Sequence, residues 1–309
     1  MARAMHSLDT WNMTSVLVVA IASACGFALS TSLQHRVATH APAHVTSTVR
    51  ILRWVMLRPV WIAGALTGVA ALGLHALALR LGSLSVVQPI MISGVVLAVM
   101  VRAFLDLRLP SGRELRAVVI TVGGLAVFLV AADPQPGRAP TDDSVAQLAV
   151  VAGTLVAAAI FAASIRLKRD GPRAMALGTV AGVLFGVTAL LLKLIATDFD
   201  PGALWDSVVS ALSSWPLWTL VIVGVSGVAI NQRAYQMASL SMSMPILNVI
   251  DVLTAMALGW IVFDEAAALG PATLLVQGAA LAAMGWGLRL LSLTWVASAS
   301  AQPATKGEA

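Results

Sequence analysis

The stretch SLSMSMPILNVIDVLTAM, residues 239–256, places Asp251 near the centre of an apolar run that extends over 241–263. A run of roughly 20 apolar residues is the length a helix needs to cross the hydrocarbon core of a bilayer. An aspartate at the middle of such a helix costs about 2.5–3.5 kcal/mol on insertion scales. A chain that keeps one there either neutralises it with a partner or uses it.

The same apolar signal recurs along the chain. Further runs fall at 12–33, 59–81, 83–105, 114–131, 144–167, 174–196, 216–238 and 269–291, which makes nine expected spans. Mean hydropathy is +0.90, and only 11% of the residues are charged, against about 25% in a soluble domain. The expected class is all-α, a polytopic membrane protein whose first partner is the lipid bilayer. Two stretches between spans read differently. Residues 45–58 carry Arg50, Arg53 and Arg58 on an apolar background, the pattern of a helix lying on the membrane surface. Residues 201–215 are similar but acidic.

Charge sets the expected orientation. With the N-terminus outside, 15 of the 19 Lys and Arg residues fall on the inner side, and only Arg3, Arg80, Arg138 and Lys193 fall outside. The positive-inside rule therefore puts the N-terminus out and the C-terminus in. Asp133, Asp142, Asp143, Asp198, Asp200 and Asp206 are left for the outer loops, where they keep an exported loop soluble. The net charge of +5 is spread over loops rather than gathered on one face, so no nucleic-acid partner is expected. Cys25 is the single cysteine, which excludes an intrachain disulfide and a cysteine metal cluster. The IASAC sequence before it fits a lipoprotein cleavage site poorly, so the first span is read as uncleaved.

The chain also repeats itself. SLSVVQPI (83–90) and SLSMSMPI (239–246) share Ser-Leu-Ser and Pro-Ile, offset by 156 residues. Each opens a span, and each span is followed by a polar turn and a Gly-rich span. Three consecutive spans thus align with a shift of five, so corresponding helices cross in opposite directions. This is an inverted repeat in a 4+5 arrangement, which puts a substrate site at the repeat interface near the midplane. The expected division is a first membrane repeat over 1–132, an outer linker at 133–143, a second repeat over 144–292 and an unstructured inner tail at 293–309.

Four stretches carry a resemblance: TSLQHR (31–36), HALALRLGSLSVVQPI (75–90), NQRAYQMASLSMSMPI (231–246) and VFDEAAALG (262–270). The layout resembles the drug/metabolite transporter superfamily, of EamA-type fold, and within it the NIPA-type magnesium-transporter branch. The family's first half has an asparagine and a tyrosine where this chain has His75 and Leu79. The second half keeps both, as Asn231 and Tyr235. The resemblance implies a secondary carrier in the cell membrane working by alternating access, with Mg²⁺ as the named cargo.

Asp251 leads the candidate site, with Asn248 one turn earlier on the same face. It is the one candidate metal-binding residue, and as a carboxylate in an apolar span it is also a candidate for proton coupling. His75 and Asn231 occupy equivalent repeat positions, offset again by 156. Gln88, Tyr235 and Arg233 complete the expected lining. The cargo class is a small polar solute or a divalent cation; Mg²⁺ keeps several waters, so one carboxylate is compatible with it. An alternative is a non-transporting scaffold or subunit in which Arg233 and Asp251 form a structural pair. Gly178, Gly182 and Gly186, and Gly64 with Gly68, recur every four residues and predict close helix packing. His35, His40 and His44 cluster without a neighbouring carboxylate and are not read as a metal site. No Walker loop, His-Glu-x-x-His or Gly-x-Ser-x-Gly occurs, so neither an enzyme nor a resident cofactor is expected. A homodimer is compatible with this reading.

Overall fold

The structure is a computed structural model that describes residues 13–39, 57–105, 109–135, 137, 138, 140, 143–237, 240–266, 268 and 270–300. The expected surface helix at 45–58 therefore lies almost wholly outside the described residues, as do His40 and His44. Among the described residues ten α-helices follow one another: α1 Met13–Thr39, α2 Pro59–Leu81, α3 Leu84–Leu105, α4 Gly112–Ala132, α5 Asp143–Ser164, α6 Asp170–Asp198, α7 Leu204–Ser213, α8 Trp215–Met237, α9 Leu240–Phe263 and α10 Pro271–Ser300. No strand occurs among the described residues. Eight helices, all but α3 and α7, are long and apolar enough to cross a membrane. The expected ninth span is α3, whose apolar described stretch is the shorter Leu84–Ala98.

Local chemistry explains the helix ends. Pro59 opens α2, where its missing N–H costs nothing. Ser111 and Glu114 close a capping box at the start of α4: Ser111 N donates to Glu114 Oε2 at 2.7 Å, and Glu114 N donates to Ser111 Oγ at 3.3 Å. Asp133, at φ 38°, stops the same helix in the left-handed region. The acidic stretch after α6 becomes a short 3₁₀ turn, Pro201–Ala203, capped by Asp200 Oδ1 accepting from Gly202 N at 2.9 Å, and then α7. The expected unstructured tail is corrected in part, because α10 continues as far as Ser300.

The described chain forms two compact units. The first holds Met1–Gly82 and Ile90–Pro110; the second holds Ser83–Pro89 and Ser111–Ala309. The division runs through α3 at Pro89 and leaves α4 with the second unit, whereas the repeat boundary read from sequence lies after residue 132.

In the first unit, α1 and α2 pack through small residues. A methyl on Gly26 would stand 2.8 Å from Ala71 Cβ, and one on Gly68 would stand 2.7 Å from Ser30 Oγ. Ser23 Oγ donates across the same contact to Ala71 O at 2.9 Å. In the second unit, α6 is the central helix: 72% of its apolar window is buried, against 17% for α8. It contacts α5, α8 and α9, while α4 packs along α10. The glycine series read from sequence lies at the α6–α9 contact. Gly178, Gly182 and Gly186 meet Ser243, Leu247 and Thr254, with 2.6 Å between a methyl on Gly182 and Leu247 O. Side chains such as Leu66, Val130, Leu148 and Ile222 are exposed, as expected of helices solvated by lipid rather than water.

Candidate functional site

Asp251 lies at the midpoint of α9. At 3.6 residues per turn, Ser243, Leu247, Ile250 and Thr254 form the stripe that meets α6. Val249 faces α10, with its Cγ2 3.4 Å from where a methyl on Gly285 would lie. Leu253 and Ala257 mark the exposed edge. Asp251 falls on the remaining sector, opposite that edge, together with Asn248 and the buried Met244, Val252 and Ala255. The sequence therefore turns its one mid-span carboxylate toward the interior.

Asp251 Oδ1 is buried and accepts no hydrogen bond. Asn248 does not supply one, because its Nδ2 donates to Met244 O, 2.8 Å away on its own helix. On α8, Asn231 and Tyr235 are one turn apart. Asn231 Oδ1 is likewise buried without a donor. Two acceptor oxygens at residues named from sequence are thus left unspent, where most buried polar atoms are satisfied.

The Arg233–Asp251 pair does not form. Arg233 is exposed, and its guanidinium lies 3.4 Å from Gln236 Oε1 on the same helix. The reason lies in the packing: α8 and α9 are consecutive, but each packs chiefly on α6 rather than on the other. Depth along the membrane, which the sequence gives, is not adjacency.

Gln88 is buried in the segment Ser83–Pro89 of the second unit. The adjacent Pro89 is the sixth residue of α3, and Pro245 is the sixth of α9. Each removes the N–H that the carbonyl four residues earlier would accept from. His75 belongs to the first unit, where its ring meets Phe27 edge-on at 6.3 Å between centroids. Asn231 belongs to the second. No group of three or more His, Cys, Asp or Glu residues able to hold a metal occurs among the described residues.

A second buried polar group escaped the sequence reading. Lys193, assigned from sequence to the outer side, is buried inside α6. Its Nζ lies 2.6 Å from Glu265 Oε1 and 4.8 Å from the centre of the Phe263 ring. Both Glu265 carboxylate oxygens accept from Leu84 N, at 3.0 and 2.8 Å. A lysine inside LLLKLIA is itself a flag for a buried partner. The partner was hidden because Glu265 sits in a turn, where an acid ordinarily meets water.

Eight helices of membrane length and apolarity among the described residues, with carboxylates and amides buried among them, define a multi-pass helical membrane protein. The chain is similar to an uncharacterized protein of Corynebacterium glutamicum, 27% identical over 256 residues that cover 82% of this chain and 86% of that one. No protein-family profile matches the chain, and no solved structure matches it.

Proposed function

We propose that the chain is a secondary transporter of the drug/metabolite transporter type, moving a small polar solute or a cation across the cell membrane by alternating access. One observation carries this reading: Asp251 Oδ1 is buried at the midpoint of a membrane-length helix and accepts no hydrogen bond. A structural carboxylate in that position would be paired, since an unpaired one is costly. An acceptor held without a donor is what a binding site for a cation or a donor-bearing solute provides. The scaffold alternative rested on an Arg233–Asp251 pair, and Arg233 is exposed and turned to Gln236.

Among named cargoes we place Mg²⁺ first, on the family resemblance. With no three-ligand cluster among the described residues, the ion would travel with most of its waters, which donate to oxygens such as Asp251 Oδ1 and Asn231 Oδ1. The inverted repeat, the outer N-terminus and the inner C-terminus belong to the same proposal and rest on the 156-residue offset and the distribution of basic residues.

The test uses proteoliposomes loaded with a magnesium indicator and a pH dye, under an imposed Mg²⁺ gradient. Mg²⁺ entry that Asp251→Asn abolishes supports the reading, and a matching pH signal adds proton coupling. Absence of flux from folded wild type removes magnesium as the cargo.

A further inference from the structure

Where α4 begins and the apolar span of α10 ends, Arg113, Arg116, Leu290 and Leu293 line a cavity of about 330 Å³. The two arginines are three residues apart, so they share one face of the first turns of α4; the two leucines do the same on α10. One wall is therefore cationic and the other apolar.

The arginines are exposed, and neither makes an ion pair among the described residues. Glu114, the acid between them in sequence, is buried and accepts from Ser111 N in the capping box. The start of α4 adds the positive end of its helix dipole. Depth is marked independently by Trp286, one turn before Leu290. It is 53% exposed, with the Arg289 guanidinium 5.5 Å from its ring centre. An exposed tryptophan beside an arginine is the arrangement of a membrane–water interface.

We propose that this cavity is a binding site for an anionic phospholipid, with its phosphate between Arg113 and Arg116 and its acyl chains along Leu290 and Leu293. Guanidinium groups match phosphate oxygens with forked hydrogen bonds. Basic pockets at the ends of membrane helices recognise lipid headgroups by the same chemistry. The leucine wall decides for a lipid over a soluble phosphate, which would leave that wall wet.

The experiment uses the full-length protein in detergent, given equal amounts of phosphatidylglycerol and phosphatidylcholine with identical chains and analysed by native mass spectrometry. Wild type is expected to retain phosphatidylglycerol preferentially. Arg113→Gln with Arg116→Gln should reduce the preference roughly tenfold or more, the size expected for two basic contacts. Arg166→Gln with Arg169→Gln, which removes exposed charge elsewhere, should leave it intact. An unchanged preference in the first variant overturns the proposal, as does an equal loss in the second. So does displacement of the lipid by excess glycerol 3-phosphate, which would make the site one for soluble phosphates.

A wild-type measurement guards against a variant that fails to fold. In vesicles, brominated phosphatidylglycerol should quench tryptophan fluorescence more than brominated phosphatidylcholine, and the difference should vanish in Trp286→Phe. Equal quenching by the two lipids overturns the proposal.

Discussion

Lys193 and Glu265, 72 residues apart in sequence, form a buried ion pair at the end of α6, with 2.6 Å between Nζ and Oε1. The same carboxylate receives the Leu84 N–H at the start of α3. One acid thus neutralises an intramembrane lysine and satisfies an orphan helix amide.

Breaking this pair from one side should be costly. Lys193→Met leaves Glu265 buried beside a single N–H donor, and the expected loss is about 3–5 kcal/mol. Lys193→Met with Glu265→Gln removes both charges and keeps an acceptor for Leu84 N–H, so it should cost less than either single change. Denaturant unfolding in mixed micelles reads the cycle; strictly additive losses would show that the two groups do not interact.

Asp251 should behave in the opposite way. Its Oδ1 has no partner to lose, so Asp251→Leu should leave stability unchanged or raise it, and on the proposed reading it abolishes transport. Arg233→Leu, at an exposed position bonded only within its own helix, should change stability by no more than about 0.5 kcal/mol. A large stability loss in Asp251→Leu would make the carboxylate structural and remove the main support for the transport reading.

The glycines divide into two sets by what surrounds them. Gly182→Ala places a methyl 2.6 Å from Leu247 O and should destabilise the α6–α9 contact by about 1–3 kcal/mol. Gly278→Ala has nothing within 4 Å and should stabilise α10 by about 0.5–1 kcal/mol. Thermal unfolding of both variants, measured in parallel, checks the contrast.

Topology is open to labelling. In a Cys25→Ser background, Ala309→Cys should react with an impermeant maleimide only after cells are permeabilised, and Asp142→Cys should react in intact cells. The reverse pattern would invert the charge-based orientation.

The sequence by itself determined the class. Apolar runs of membrane length, Asp251 inside one of them and glycines every fourth residue in another follow from local composition and helical periodicity. These are short-range properties: α9 spans Asp251, and the glycine series lies at a close helix contact, but its partner helix is set by the tertiary structure. Which polar groups meet was decided only by the tertiary structure. Arg233 and Asp251 match in depth but not in partner, because α8 and α9 each pack on α6. Lys193 and Glu265, one in a span and the other in a turn, meet because the end of α6, the turn after α9 and the start of α3 converge. Pairing between distant residues depends on which helix faces are buried together, and no local pattern in the chain encodes that.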